Sequence, residues 1–184
     1  MRYAAIRDRD ISNGTGVCVS LWFQGCPFRC KGCHNPETWD FNGGHEANRI
    51  DVINKIISLI GANGVNRNFS MLGGEPLCEE NMHDAIDIAK TIKKIFPNIT
   101  IYLWTGYLME EIREHPIQKY ILNYIDVLID GCFDINKKDA TLTLRGSSNQ
   151  KVYYLNHSDG RYIDGRYVYP VNPYGSPSDM HRYN

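Results

Sequence analysis

Apolar positions along the chain fall into two alternating kinds of run. "VCVSLWFQG" (17–25) is a short apolar, β-branched stretch closed by glycine, the pattern of a buried strand. Between Glu46 and Ile60 the spacing changes: Ile50, Ile53, Ile57 and Ile60 recur at helical intervals, and Gly61 supplies a stop. "NFSMLGGEP" (68–76) returns to the strand pattern and runs into a glycine turn. Residues 79–96 are amphipathic, with Met82, Ile86, Ala89, Ile92 and Phe96 on one side and Pro97 at the end. "ITIYLWTG" (99–106) and "YIDVLIDG" (124–131) read as third and fourth strands. The stretch between them, 108–123, is helical in parts and interrupted at Pro116.

Strand then helix, repeated, predicts right-handed crossovers and an α/β fold on a mostly parallel sheet. In such folds the chemistry gathers beyond the carboxyl ends of the strands. The cysteine-rich loop after 17–25, "GGEP", "WTGY" and "DGCF" all follow strands, so all four are expected on one face. After "LRGSSNQKV" the composition shifts: residues 153–184 carry seven of the twelve tyrosines and show no helical period. The expected organisation is a core over 1–152 and a Tyr/Gly/Pro-rich tail over 153–184. The tail is open to three readings: a hairpin, an arm laid over the domain, or a partly disordered end.

Composition narrows the classes. The 184 residues suffice for one domain with a full core. A net charge of −1 gives no pull toward nucleic acid or anionic lipid. The start, "MRYAAIRDRDISNGTG", places charges where an export signal needs an apolar run, and no stretch approaches the roughly 18 apolar residues of a membrane span. A cytoplasmic protein that binds neither nucleic acid nor membrane is expected. Disulfide frameworks belong mostly to small exported chains, so the six cysteines point instead to metal or redox chemistry.

Three of them, Cys26, Cys30 and Cys33, form CxxxCxxC in a single loop, and His34 follows. Such a loop can bring three thiolates around a [4Fe–4S] cluster and bind three of its irons. A zinc module usually shows two separated ligand pairs, and no second pair exists here. Three possibilities stand at this point for the fourth position: His34, a distant cysteine, or a vacancy. Cys18 on the preceding strand, Cys78 opening a helix and Cys132 after another strand each read as a small buried hydrophobe.

The CxxxCxxC loop after a first strand and "GGEP" after a second resemble the radical S-adenosylmethionine superfamily. A closer resemblance is to the activating enzymes of anaerobic (class III) ribonucleotide reductases. It rests on "NGTG", "QGCPFRCKGCHNPETW", "LGGEPL", "LWTGY", "DVLIDGCF" and "LRGSSNQ", in that family's order, across roughly residues 10–151. The resemblance implies an incomplete, TIM-like barrel of alternating strands and helices. It implies a [4Fe–4S] cluster held by Cys26, Cys30 and Cys33, with one iron open to the amine and carboxylate of S-adenosylmethionine. Reductive cleavage of that cofactor then yields methionine and a 5′-deoxyadenosyl radical. The radical takes hydrogen from a glycine of the reductase's catalytic subunit and leaves a glycyl radical there. A low-potential electron donor such as flavodoxin is implied as a second partner.

Further roles follow from the same resemblance. Gly73, Gly74 and Glu75 match the turn that holds the methionine amino group, where glycines allow close backbone approach. Gly32, Cys33 and His34 match the stretch that passes the adenine. Asp130 matches a carboxylate near the nucleoside or methionine end, against the alternative of a solvated strand-end acid. Thr105, Gly106 and Tyr107 are expected along the same cavity, and Arg145 in a structural role. The chain departs from the pattern at Cys18, which stands in register with a common arginine, and in its tail of some thirty residues. A full eight-stranded barrel typically takes about 200 residues or more. A shorter chain leaves an open side, which suits a loop of another protein. The alternatives are an activase of another glycyl-radical enzyme and a non-enzymatic metal-binding module.

Overall fold

A computed structural model describes residues 1–64 and 67–155, together with the backbone of 161–163 and 166–168. Seven strands form one sheet in the order β3-β1-β2-β4-β5-β6-β7. They are β1 (Arg2–Asp10), β2 (Cys18–Phe23), β3 (His45–Glu46), β4 (Asn68–Gly73), β5 (Ile101–Trp104), β6 (Val127–Asp130) and β7 (Lys151–Tyr154). The four strands expected from continuous apolar runs, β2, β4, β5 and β6, lie side by side and parallel. The margins are antiparallel: β1 pairs with β2 and β3, and β7 with β6.

The helices are α1 (Arg49–Ile60), α2 (Met82–Ile95) and α3 (Met109–Glu114). Asn48 caps α1 by accepting from the Ile50 N–H at 2.9 Å. Its buried face is Val52, Ile56 and Ile60; of the isoleucine stripe read in the sequence, Ile60 is buried, Ile53 and Ile57 pack partly buried against the core, and Ile50 is exposed. α2 buries Met82, Ala85, Ile88, Ala89 and Ile92 and stops before Pro97. Pro116 does break the next stretch, into α3 and a 3-10 turn over Gln118–Asn123.

All three helices pack on one face of the sheet, against Leu21, Phe23, Phe69, Met71, Ile101, Leu103 and Leu128. The opposite face carries a smaller cluster of Cys18, Tyr102, Val127, Ile129 and Val152 with Trp104, Leu144 and Tyr154 beside it. It is also partly polar: the Ser20 hydroxyl donates to Asp10 at 2.7 Å, and the Trp22 indole donates to Ser20. Strand β7 runs across residue 152, so Tyr153 and Tyr154 pair with Leu128 and Val127. Of the three readings of the tail, a hairpin is seen for Arg161–Ile163 (β8) and Arg166–Val168 (β9). Residues 156–160, 164–165 and 169–184 lie outside the described residues.

Candidate metal centre

Every parallel strand ends at the same edge, and the turn that follows each one meets the others there. The loop after β2 carries the cysteines. It turns through two residues in the left-handed region, Arg29 at φ 46° and Gly32 at φ 78°. Glycine takes that conformation freely, whereas Arg29 pays for it with about 1–2 kcal/mol of strain. The Cys33 N–H closes a tight turn onto the Cys30 carbonyl at 3.0 Å. Cys26, Cys30 and Cys33 are free and half-buried.

Amide N–H groups point at these sulfurs. Asn35 N–H reaches Cys33 Sγ at 3.4 Å, and those of Phe28 and Arg29 reach Cys26. Burial pushes the Cys26 thiol up, against the pull of those two amides. A thiolate needs such donors once its proton is gone. Among the described residues no three His, Cys, Asp or Glu side chains gather closely enough to hold a single metal ion. An iron–sulfur cubane spreads its ligands over separate irons and does not require that. Three soft, free thiols, two of them with amides aimed at them, fit a cluster's donor set.

The turn after β4 lies directly behind. Gly74 N–H donates to Phe23 O at 2.9 Å and Glu75 N–H to Gly25 O at 2.7 Å. A Cβ on Gly74 would drive into the Gly25 carbonyl, and one on Gly73 would lie 2.8 Å from Trp22 Cα. Close backbone packing on β2 therefore demands both glycines, before any ligand is considered. Glu75 is buried at 1 % exposure. Its carboxylate accepts from Leu77 N–H at 2.8 Å, Thr105 Oγ1 at 2.7 Å and Gly106 N–H at 2.7 Å, which ties the β4 turn to the β5 turn. Burial pushes its carboxyl up to about 7, and the three donors oppose the rise.

The turn after β6 completes the edge. Asp130 is fully buried rather than solvated; its oxygens accept from Met109 N–H at 2.9 Å and Lys151 N–H at 3.1 Å. Burial raises its carboxyl against those two donors. The "RGSSNQ" segment braces this turn: Gln150 donates to Gly131 O at 2.9 Å and Asn149 to Cys132 O at 2.8 Å. Asn149 Oδ1 is buried there without a partner. Arg145 donates to Gln150 O at 2.9 Å, a contact internal to the segment.

The cysteine loop reaches all the way to this turn. A Cβ on Gly32 would lie 2.9 Å from Ile135, and the exposed His34 ring faces Phe133 at 6.1 Å between centroids. Phe28 packs edge-on against Tyr107 at 4.9 Å. The four motifs expected on one face are thus brought together, with Thr105, Gly106 and Tyr107 among them. Cys18 and Cys78 are the small buried groups expected, at 0 % and 2 % exposure. Cys132 is not: it is half-buried, and its Sγ lies 3.5 Å from Gly106 O. Its only sequence signal is its place at a strand's carboxyl end.

A family model described as a 4Fe-4S single cluster domain matches residues 12–153. The chain is 35 % identical over 156 residues to the anaerobic ribonucleoside-triphosphate reductase-activating protein of Escherichia coli K12, covering 84 % of this chain and 99 % of that one. The protein of that name from Pasteurella multocida is 34 % identical over 83 % of this chain and 97 % of its own. The phage T4 protein is 32 % identical over 87 % and 97 %. Among the described residues no helix is long and apolar enough to cross a membrane.

Proposed function

The chain belongs to the family of anaerobic ribonucleoside-triphosphate reductase-activating proteins, and on that premise we propose that it is a radical S-adenosylmethionine activase of such a reductase. The observation that carries this reading is the loop of three free thiols arched over the glycine turn at one end of the parallel strands. In it Cys26, Cys30 and Cys33 would hold a [4Fe–4S] cluster, which would supply one-electron reductive chemistry toward S-adenosylmethionine, for hydrogen abstraction from a glycine of the reductase's catalytic subunit.

The chain's own residues bind and orient. The Gly73–Gly74 turn offers backbone to the methionine amino group, and Glu75 serves by locking that turn to Thr105 and Gly106. Gly32, Cys33 and His34 pass the adenine, with the His34 ring beside Phe133 as a stacking wall. Asp130 serves the cofactor through the β6 turn it fixes, and Asn149 Oδ1 offers a buried acceptor beside it. The sheet is read as an incomplete, TIM-like barrel with its helices on one side, whose unclosed margin admits a partner's loop. The core is read as running past residue 152 to Leu155, because Tyr153 and Tyr154 pair in the sheet and Leu155 is buried in the main cluster. A low-potential donor such as a flavodoxin, in the cytoplasm, provides the electron.

Low-temperature EPR of anaerobically reconstituted, reduced protein tests the reading. A [4Fe–4S]⁺ signal that changes shape when S-adenosylmethionine is added is the expected result. An iron signal indifferent to the cofactor overturns the enzyme and leaves a metal-binding module.

A further inference from the structure

The cysteine loop and the segment after β6 lie against each other. A Cβ on Gly32 would lie 2.9 Å from Ile135 and 3.5 Å from Phe133, and the His34 ring faces Phe133. Glycine at position 32 is what allows so close an approach. The charges along this seam are unbalanced. Residues 26–35 carry Arg29 and Lys31, and residues 132–138 carry Lys137 and Lys138, against the single acid Asp134. The whole chain is net −1, so the rest of it is net acidic and the seam stands out in sign.

These cations are held out to solvent rather than consumed by neighbours. Arg29, Lys31, Lys137 and Lys138 are all exposed. Among the described residues Arg29, Lys31 and Lys138 form no ion pair, and Lys137 meets only Asp134 of its own turn, at 3.8 Å. Their backbone is fixed beneath them. Asp134 caps a 3-10 turn (Ile135–Lys137) by accepting from Asn136 N–H at 2.9 Å, and Ser148 N–H donates to Lys137 O at 2.9 Å. Arg29 keeps its long side chain on a left-handed backbone, where glycine or asparagine would be less strained. Where the two segments meet, Ile135 is 38 % exposed. An apolar centre inside a charged rim is the usual build of a protein contact.

We propose that this seam docks an acidic protein that donates one electron across the cysteine loop. The proposal rests on the cluster reading above. In that reading the cofactor and the partner's glycine take the strand side of the loop, where the Gly73–Gly74 turn lies, and the outer side is left to the donor. Electron transfer weakens steeply with distance, and Cys26, Cys30 and Cys33 are only half-buried in this loop. One electron leaves the donor and enters the cluster; no bond or proton is exchanged. Exposed rim charges steer encounter more than they add affinity, which suits a partner that must leave after each transfer.

The test compares wild type with Lys31→Glu and with the double variant Lys137→Glu, Lys138→Glu, each reconstituted anaerobically and checked by iron content and circular dichroism. A flavodoxin and a ferredoxin, both net acidic, are the probes. Wild type should bind at least one of them, with affinity falling several-fold between about 50 and about 300 mM salt. Each variant should bind that probe roughly threefold to tenfold more weakly at the lower salt. The [4Fe–4S]⁺ EPR signal should then form more slowly with the reduced probe, yet reach its wild-type extent with dithionite, a small reductant that needs no docking. Failure of both probes to bind wild type overturns the surface, as do affinities that charge reversal leaves unchanged in both variants. So does a loss confined to the reductase's catalytic subunit, which would give the seam to that partner. Probe binding that follows the charges, beside a cluster signal indifferent to S-adenosylmethionine, keeps the surface and removes the activase reading instead.

Discussion

At the amino ends of the parallel strands, the segment after β1 is tied to the sheet by a network of side-chain hydrogen bonds. Asp10 accepts from Ser12 N–H, from the amide and side chain of Asn13, and from Ser20. Thr15 meets the Tyr102 hydroxyl, and Asn68 links the Thr15 carbonyl to the Thr100 N–H. Cys18 is sealed beneath, where a Cβ on Gly14 would lie 2.6 Å from its sulfur. The carboxyl ends carry a similar mixture of glycine, asparagine and cysteine, and their turns too are braced by hydrogen bonds to backbone. There, four half-buried thiols are left with only weak partners. The difference teaches that motif and glycine content do not separate structure from chemistry. What separates them is which groups the fold leaves unspent.

The sharpest way to break this contrast is to remove one sulfur at each place. Cys30→Ala should abolish S-adenosylmethionine cleavage, read as loss of methionine formation. Cys18→Ala and Cys78→Ala should leave cleavage and iron content largely intact, because both side chains are packing groups. If Cys78→Ala also lost its cluster, the assignment of ligands to the loop would fall.

Much of that contrast was legible in the chain, for physical reasons that can be named. Strands β2, β4, β5 and β6 are covered on both faces and so read as continuous apolar runs. The turns that follow them had to share an edge. Strands β1 and β7 are one-sided margins with charges such as Arg7, Asp8, Arg9 and Lys151, and their pattern does not announce a strand. The stripe on α1 holds at Ile60 and in part at Ile53 and Ile57, but six isoleucines and valines crowd twelve residues, and only packing selects Val52 and Ile56 over Ile50. Two facts of the site depend on contacts distant in sequence: the packing of Phe28 on Tyr107, and the burial of Glu75 under Thr105 and Gly106. "GGEP" alone suggests a ligand turn, and nothing local shows that its carboxylate is already taken.

A second probe separates backbone packing from ligand binding at the glycine turn. Gly74→Ala places a methyl group against the Gly25 carbonyl, backbone on backbone, where no rotamer can relieve it. A loss of about 2–4 kcal/mol of stability is expected in urea unfolding. The same change at Gly64, where among the described residues nothing lies within 4 Å of the added carbon, meets its own positive φ of 70°. It should cost about 1 kcal/mol. Equal costs at the two sites would show that crowding against β2 is not what holds position 74 to glycine.

The smallest effect concerns the buried carboxyl that joins the two turns. Folding raises Glu75 from its ordinary 4.5 to about 7, chiefly by burial. Between those values the folded protein keeps a proton that the unfolded chain has released. Stability from this group is therefore fully present below pH 4.5 and is lost as pH rises through 7. The loss across the window is about 1–3 kcal/mol. Asp130 is raised in the same direction by its burial, so its contribution has the same sign. Glu75→Gln removes one of the two titrations and should flatten the fall in stability between pH 5 and 7.5, about the 4.5-to-7 window, without abolishing it. A variant whose pH profile superimposes on wild type would mean that Thr105, Leu77 and Gly106 together hold the carboxylate ionised throughout, and that the site's polarity outweighs its burial.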